Sequence, residues 1–262
     1  MEAVRCAQRD FFVKFNAATR LTMFEAEADA LTEIATSRTV RVPMPLCYGS
    51  DEQHAWLVME WLSLSADGLT RDSAPRLGAQ LAAMHAVHAD RFGWTRENTI
   101  GSTPQSNRQA KSWIDFWREE RLAAQLALAG ANGYRGRLHA LGERLVEQLP
   151  ALLAGHHPQP SLMHGDLWGG NAAAMADGTP VIFDPAVYYG DREADLAMTE
   201  LFGGFPGSFY AAYRAASPLP AGYAVRRELY NLYHVLNHLN LFGGAYLPQS
   251  EAMMDALLAQ LR

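Results

Sequence analysis

The sequence has few cysteines and no long apolar segment. Its 262 residues include only Cys6 and Cys47, which are too few for a disulfide framework and are interpreted as free thiols in a reducing compartment. No uncharged apolar run has the length of a membrane-spanning helix, and the amino-terminal residues lack the pattern of a signal peptide. We therefore expect a soluble, cytoplasmic protein without a membrane partner.

Basic residues are also fewer than acidic ones. The chain has 22 Lys and Arg against 28 Asp and Glu, a formal net charge of -6. Such a surface repels phosphate backbones, so nucleic acid is not an expected partner. An anionic nucleotide would need a local arrangement of cations and backbone amides. The charged fraction of only 19% excludes a disordered chain, and the hydrophobic fraction of 49% allows one large domain or two lobes.

The apolar pattern changes near residue 62. Before it, residues 11–15 and 55–62 favour strands, residues from Thr22 show helical spacing, and residues 40–49 favour a turn into a strand. After a polar connector, helical periodicity dominates. The predicted helices cover residues 73–89, 113–128, 138–153, 194–201, 208–216, 226–242 and 251–261, with a short sheet near 161–184. This predicts an α+β fold with a small sheet-plus-helix lobe (1–62) and a larger, mostly helical lobe (63–262).

The strongest motif is His164-Gly165-Asp166, followed by Asn171 and Asp184. Four residues separate Asp166 from Asn171, as in the catalytic loop of kinases, where the aspartate faces an acceptor hydroxyl and the asparagine turns towards Mg²⁺. Asp184 ends a short strand and matches the second metal-binding aspartate. Each element alone is weak, and an acidic residue after a strand is often a helix cap. Their order together favours a kinase, with His164 holding the loop.

Lys14 interrupts an apolar strand, where an unpaired ammonium would be costly. The following helix offers Glu27 as its partner, with Glu25 as second choice, and such a lysine–glutamate pair positions phosphates in kinases. The alternative is a surface lysine with a solvated glutamate. The strand that ends at residues 59–62 lies where the two lobes should join.

Several blocks resemble the fructosamine kinase (ketosamine 3-kinase) family, which has a protein-kinase-like fold and is related to aminoglycoside phosphotransferases. The blocks are FFVKF with MFEAEADAL, NTIGSTPQSN, HGDLWGGN, IFDPAVYYGDREADLAMTELFGGF and LYHVLNHLNLFGG. The resemblance implies ATP-dependent phosphorylation of the 3-hydroxyl of ketosamines, which are fructosamine or ribulosamine adducts on amines or protein lysines. The product is unstable and sheds its sugar, so the activity would lead to deglycation.

The resemblance also implies residue roles and a requirement for ATP and Mg²⁺. Asp166 would be the catalytic base, and Asn171 with Asp184 would hold Mg²⁺. Lys14 and Glu27 would position the phosphates. The adenine-binding hinge would consist of Met59, Glu60, Trp61 and Leu62.

The substrate side offers weaker candidates. Trp168 could stack on a sugar face or anchor the loop in the core. Asp191 and Glu193 could attract the substrate amine, or Arg192 could simply neutralise them. Asp195 is expected to cap a helix or support the catalytic loop.

The helix over residues 226–242 adds three polar candidates. His234, Asn237 and His238 share one face of this otherwise apolar helix, where they could line a pocket or form a satisfied buried network. We expect pocket lining.

No glycine occurs before Gly49. The family has a strand and a glycine-containing turn ahead of the segment that matches the first residues here, so we expect fewer strands in the small lobe and weaker ATP binding. Two alternatives follow: a kinase for another hydroxylated amine, such as an aminoglycoside or choline, and a catalytically weak nucleotide-binding relative.

Overall fold

A four-stranded antiparallel sheet begins the fold. The computed structural model describes residues 2–6 and 9–261. The strands lie in the order β1-β2-β4-β3. Their bounds are β1 Glu2–Cys6, β2 Arg9–Ala17, β3 Pro45–Ser50 and β4 His54–Glu60. Alternation along β4 buries Ala55, Leu57 and Met59 on one face of the sheet, which is the face a helix must cover.

Helix α1, Leu21–Ser37, is that covering helix. Phe24, Leu31 and Ile34 are buried at helical spacing, and α1 contacts both β3 and β4. The helix ends at Arg38, whose φ of 57° is the left-handed conformation that commonly terminates helices. The prediction of a helix starting near Thr22 is therefore confirmed.

The rest of the described chain is mostly helical. The α-helices are α2 Ser73–His85, α3 Trp113–Phe116, α4 Ala124–Ala131, α5 Arg137–Leu152, α6 Glu193–Leu201, α7 Gly207–Ala216, α8 Tyr223–Phe242 and α9 Leu247–Ala259. Helix α2 packs on α7, and this approach depends on Gly78, because a Cβ there would lie 2.3 Å from the carbonyl oxygen of Phe209. Helix α8 packs on α6 and α9.

Three two-stranded sheets lie among these helices. They pair β5 Asn98–Ile100 with β6 Thr103–Gln105, β7 Ser161–Met163 with β10 Tyr188–Gly190, and β8 Ala172–Ala174 with β9 Pro180–Ile182. Strand β7 leads into residues 164–171, and the β8–β9 hairpin leads on to Asp184. These short strands therefore fix both ends of the motif found in the sequence.

The α+β class and the order of a small sheet-plus-helix part before a helical part are confirmed. Strand β1 and the β5–β6 hairpin were not predicted. The single helix predicted over 113–128 is instead α3, a π-helical segment over Trp117–Ala123 and α4. Cys47 is an exposed free cysteine, as predicted, whereas the Cys6 side chain lies outside the described residues. Within the described chain, no helix is long and apolar enough to cross a membrane.

Candidate active site

The loop after β7 takes its shape from one glycine. Gly165 has a φ of 84°, a conformation that residues with a side chain rarely adopt. A Cβ at this position would lie 2.0 Å from the carbonyl oxygen of Ala186. Gly165 therefore lets the loop pass close to the segment that follows β9.

Asp195 holds this loop from below. Its buried carboxylate accepts hydrogen bonds from the backbone N–H groups of His164, at 2.7 Å, and Gly165, at 2.8 Å. It also accepts one from Nε2 of His85 at 3.1 Å. Burial alone would raise the pKa of Asp195, but the hydrogen bond and charge of His85 and the contacts with His164 outweigh it and lower the pKa. The predicted support of the loop by Asp195 is confirmed.

His164 has the structural role that the sequence predicted. Its ring is buried, and Nε2 donates to the carbonyl oxygen of Phe183 at 3.0 Å. Burial lowers the pKa of His164, so the imidazole is neutral at pH 7. The ring therefore connects the loop to the residue just before Asp184.

Asp166 faces a cavity of about 400 Å³ that Asn171, Asp184, Lys14 and Glu27 also line. Asn171 donates from Nδ2 to the backbone oxygen of Asp166 at 2.8 Å, which closes the loop on itself. Burial raises the pKa of Asp166 to about 7, and the nearby carboxylates of Asp184 and Asp195 add to the effect. A carboxylate that titrates near neutral pH suits a general base.

Lys14 lies between two carboxylates. Its Nζ atom is 2.5 Å from Oε1 of Glu27 and 2.6 Å from Oδ1 of Asp184. Burial would lower the pKa of Lys14, but the charges of Glu27 and Asp184 outweigh it and raise the pKa, so the ammonium stays charged. The predicted pairing with Glu27 is confirmed. The second choice, Glu25, instead contacts Arg96 at 3.4 Å.

Asp184 has an unusual backbone. Its φ of 58° is in the left-handed region, where a residue with a side chain is strained. The side chain is 42% exposed and lines two adjoining cavities. The backbone strain is thus found at the residue that joins the two cavities.

The second cavity also has a volume of about 400 Å³ and is mainly apolar. The four proposed hinge residues all line it, together with Phe12, Pro43, Leu64, Gly170, Phe183 and Asp184. The Glu60 carboxylate is occupied, because Arg41 and the backbone N–H of Met44 each donate to it at 2.6 Å. The mainly apolar lining and the backbone of residues 59–62 fit a heteroaromatic ring such as adenine.

Asn171 and Asp184 fit a hard divalent cation by their chemistry. One supplies an amide oxygen and the other a carboxylate, the oxygen ligands that Mg²⁺ prefers together with phosphate. Because Nδ2 of Asn171 is already bonded to the backbone of Asp166, the Oδ1 atom remains for a ligand. The donor set therefore suits Mg²⁺.

Trp168 lies at the mouth of the first cavity. Its side chain lines that cavity and is 40% exposed, so it is not a buried core anchor. Its ring meets Phe202 edge to face at 6.5 Å between centroids. This position is compatible with the predicted stacking on a sugar.

Asp191 and Glu193 do not reach either cavity. Asp191 is buried and accepts hydrogen bonds from Tyr230 and His156, each at 2.5 Å. Glu193 is buried against Arg226, whose guanidinium donates at 2.6 and 2.9 Å. We therefore do not retain Asp191 and Glu193 as substrate residues.

The expectation that Arg192 neutralises Asp191 and Glu193 was also wrong. Arg192 donates to the hydroxyl of Tyr213 and to the carbonyl oxygens of Ser217 and Pro218.

Three residues next to this region could in principle hold a metal ion, because ligand atoms of His156, Asp191 and Glu193 lie within 4.8 Å of one another. Because both carboxylates already have protein partners, we interpret this cluster as a hydrogen-bonded network.

The three polar residues on α8 differ in how far they are buried. His234 and Asn237 are buried and line neither cavity. Burial lowers the pKa of His234 to about 3, with help from nearby His238, and Asn237 accepts a hydrogen bond from Gln125 at 3.3 Å. Pocket lining is therefore not supported for these two. His238 is partly exposed and packs on Phe202, with ring centroids 4.8 Å apart.

Sequence reasoning missed one wall of the first cavity. Asn98, Thr99 and Gly101 of the β5–β6 hairpin line it. Asn98 is buried, and its Oδ1 atom accepts hydrogen bonds from Gln105 and Asn107, each at 2.9 Å. The signal was the NTIGSTPQSN block, which carries several amide side chains in a short segment.

Comparison with known proteins gives the family of this chain. The fructosamine kinase family model matches residues 2–260. A Synechocystis protein named probable ketoamine kinase is 49% identical over 96% of this chain and 84% of its own length. The chloroplastic protein-ribulosamine 3-kinase of Oryza sativa subsp. indica is 39% identical over 100% of this chain and 77% of its own.

Solved structures show the same similarity. A crystal structure from Haemophilus somnus, assigned as a fructosamine-3-kinase, superposes with a TM-score of 0.89 at 29% identity, covering 98% of this chain and 86% of that one. An aminoglycoside phosphotransferase superposes with a TM-score of 0.65 at 14% identity, covering 98% and 89% of the two chains, and shows the shared kinase-like fold. The chain described here belongs to the fructosamine kinase family.

Proposed function

We propose that this chain is an ATP-dependent kinase that phosphorylates the 3-hydroxyl of ketosamines, the adducts of sugars with amines or protein lysines. The observation that carries the proposal is the convergence of Asp166, Asn171, Asp184 and Lys14 on one cavity. Membership of the fructosamine kinase family supports it, as do the names of the ketoamine and ribulosamine 3-kinase relatives. The phosphorylated product would shed its sugar, so the activity serves deglycation.

The nucleotide is assigned to both cavities. Its adenine would occupy the apolar cavity beside Met59 and Leu62, with the ring edge against the hinge backbone, and its phosphates would extend towards Asp184. Lys14 would bind the phosphates while Glu27 keeps the ammonium in place. Residues 1–62 would then act as the nucleotide-binding lobe and residues 63–262 as the catalytic and substrate-binding lobe.

Asn171 and Asp184 would hold Mg²⁺, which when bound neutralises the charge that develops on the phosphates. In the protein without nucleotide, the cation beside Asp184 is the ammonium of Lys14, at 2.6 Å. Cation binding by Asp184 would leave Lys14 to interact with phosphate.

Asp166 would bind the acceptor hydroxyl and receive its proton. The hydroxyl oxygen is thereby aligned for attack on the terminal phosphorus of ATP, whose bond to ADP breaks as the new one forms. Trp168 would cover one face of the sugar at the mouth of the cavity. The burial that raises the pKa of Asp166 makes its carboxylate a stronger base than a solvated aspartate.

The test is direct phosphorylation. The chain is incubated with MgATP and the ribulosamine or fructosamine of methylamine, and the product is followed by ³¹P NMR and ADP release. An aminoglycoside and choline serve as competing acceptors. We expect a sugar 3-phosphate from a ketosamine only. Turnover of an aminoglycoside or choline with none of either ketosamine would refute the proposal.

A further inference from the structure

A row of aromatic side chains leads away from the first cavity. We name it the aromatic strip, and its members are Trp168, Phe202, His238, Phe242 and Tyr246. Trp168 lines the cavity that contains Asp166. Successive ring centroids are 6.5 Å apart for Trp168 and Phe202, 4.8 Å for Phe202 and His238, and 5.3 Å for His238 with either Phe242 or Tyr246. The strip is therefore continuous with the candidate active site.

The strip is partly open to solvent. Phe242 is 67% exposed and Trp168 is 40% exposed, so these two rings contribute only part of their area to the core. A hydrogen bond fixes the orientation of the His238 ring, because its Nδ1 atom donates to the carbonyl oxygen of His234 at 2.8 Å. Exposed aromatic area held in a fixed orientation next to a cavity is typical of a binding surface.

The end of α8 places the outermost ring. Phe242 is the last residue of this 20-residue helix, and Gly243 follows with a φ of 94°. The turn over Gly244–Tyr246 then returns Tyr246 to the ring of His238. The carboxyl end of a helix carries partial negative charge, which favours a cation and disfavours an anion nearby.

The chemistry of a ketosamine fits this layout. Its basic amine is bonded to C1 of the sugar, two carbons from the C3 that carries the reacting hydroxyl. With that hydroxyl at Asp166, the amine lies only a few bonds away, and the aromatic strip begins at Trp168 on the wall of the same cavity. Aromatic faces attract a protonated amine, and they also provide contact area for an apolar carrier.

We propose that the aromatic strip binds the amine carrier of the ketosamine and selects apolar or aromatic carriers that have no carboxylate beside the amine. This inference depends on the proposed kinase function for its substrate. A carboxylate next to the amine would lie against negative ring faces and the carboxyl end of α8, where both features disfavour it. The sugar is thus recognised in the cavity and the carrier outside it.

The experiment compares three ribulosamines whose carriers are methylamine, phenethylamine and phenylalanine. The last two differ only by the carboxylate. For the unmodified chain we expect kcat/KM to be highest with phenethylamine. Phe242→Ala should lower that value roughly 3- to 10-fold, as expected for the loss of one aromatic contact, and should leave methylamine unchanged.

Tyr48→Ala is the matched control, because Tyr48 is 47% exposed on β3, outside the strip and both cavities. Tyr48→Ala should leave kcat/KM unchanged for both the methylamine and the phenethylamine adduct. Equal losses for methylamine and phenethylamine in Phe242→Ala, or no loss for either, would overturn the inference. So would a phenylalanine adduct that is used as well as the phenethylamine adduct.

Binding without turnover separates this inference from the proposed function. In an Asp166→Asn background, the affinities of the three adducts are measured by calorimetry with and without Phe242→Ala. An unmodified chain that phosphorylates no ketosamine would refute the kinase proposal. A chain that is active, but whose affinity for the phenethylamine adduct does not depend on Phe242, would refute the role of the strip alone.

Discussion

The Nζ atom of Lys14 lies 2.6 Å from Oδ1 of Asp184, although Lys14 lies in β2 and Asp184 follows β9. The same ammonium contacts Glu27 at 2.5 Å. In the protein without nucleotide, the proposed phosphate-binding lysine and the proposed metal ligand therefore neutralise each other. A magnesium nucleotide can replace this contact with cation–carboxylate and ammonium–phosphate contacts, which keeps all charges paired.

Lys14→Met should weaken MgATP binding about 10- to 100-fold, because a charge-assisted contact to phosphate is lost. The measurement is calorimetric titration with a non-hydrolysable ATP analogue and Mg²⁺. Lys111→Met, at the only other lysine of the chain and on its surface, is the control and should bind normally. Unchanged affinity in Lys14→Met would remove the lysine from the nucleotide site.

Asp166→Asn should abolish phosphorylation of a ribulosamine and largely preserve MgATP binding. The amide cannot accept the hydroxyl proton, whereas the nucleotide contacts are assigned to other residues. Initial rates and analogue affinity are measured on the same preparation. Turnover at the unmodified rate would show that Asp166 is not the base.

Activity should rise with pH through about pH 7, because burial and the neighbouring Asp184 and Asp195 raise the pKa of Asp166 to about 7 and only its ionised form accepts a proton. The measurement is kcat/KM for a ribulosamine between pH 5.5 and 8.5. A flat profile over this range would contradict the assignment.

The same shift predicts an effect on stability. Between the unfolded pKa of about 3.9 and the folded value, the native state binds more protons, so the contribution of Asp166 to stability falls as pH rises through this range. In the protein without nucleotide, Asp166→Asn should therefore be stabilising at pH 8, by roughly 1–3 kcal/mol, and nearly neutral at pH 4. Thermal unfolding at the two pH values checks the sign.

Asp195→Asn should lower both stability and activity. The amide can serve only some of the three donors that converge on Asp195, so we expect a loss of about 2–4 kcal/mol in the free energy of unfolding. The displaced loop should also lower kcat at least tenfold at temperatures where the protein is fully folded. Asp67→Asn, at an exposed position, is the control for urea unfolding and for rate.

Helix α1 is attached to the larger part of the protein by contacts on either side of Glu27. Tyr189 donates to Glu33 at 2.7 Å, and Arg96 binds Glu25 and Asp29. Replacing both, by Tyr189→Phe with Arg96→Ala, should loosen Glu27 from Lys14 and raise the KM for ATP several-fold. Hydrogen exchange over residues 21–37 should also become faster.

Arg91→Ala is the control for this pair, because Arg91 is an exposed arginine that, like Arg96, lies between α2 and β5. It should leave hydrogen exchange over residues 21–37 and the KM for ATP unchanged. Faster exchange without a change in KM would show that the two contacts stabilise the helix but do not position Glu27.

The sequence alone predicted the central residues of the candidate site. His164, Asp166, Asn171 and Asp184 lie close together along the chain, so their spacing reports their geometry. Lys14 and Glu27 were paired from two local arguments, a cation in an apolar strand and acidic residues on the next helix. The order of most strands and helices, but not β1 or the β5–β6 hairpin, followed from periodicity, because one buried face repeats at a fixed interval.

Only the tertiary structure decided which remaining polar residues reach the site. Asp191 and Glu193 follow Asp184 closely in sequence, yet they are buried and line neither cavity of the site. Tyr230 donates a hydrogen bond to Asp191, and Arg226 pairs with Glu193. The hairpin wall and the aromatic strip are built from segments distant in sequence. Their proximity depends on how helices pack on one another, and no local pattern records that packing.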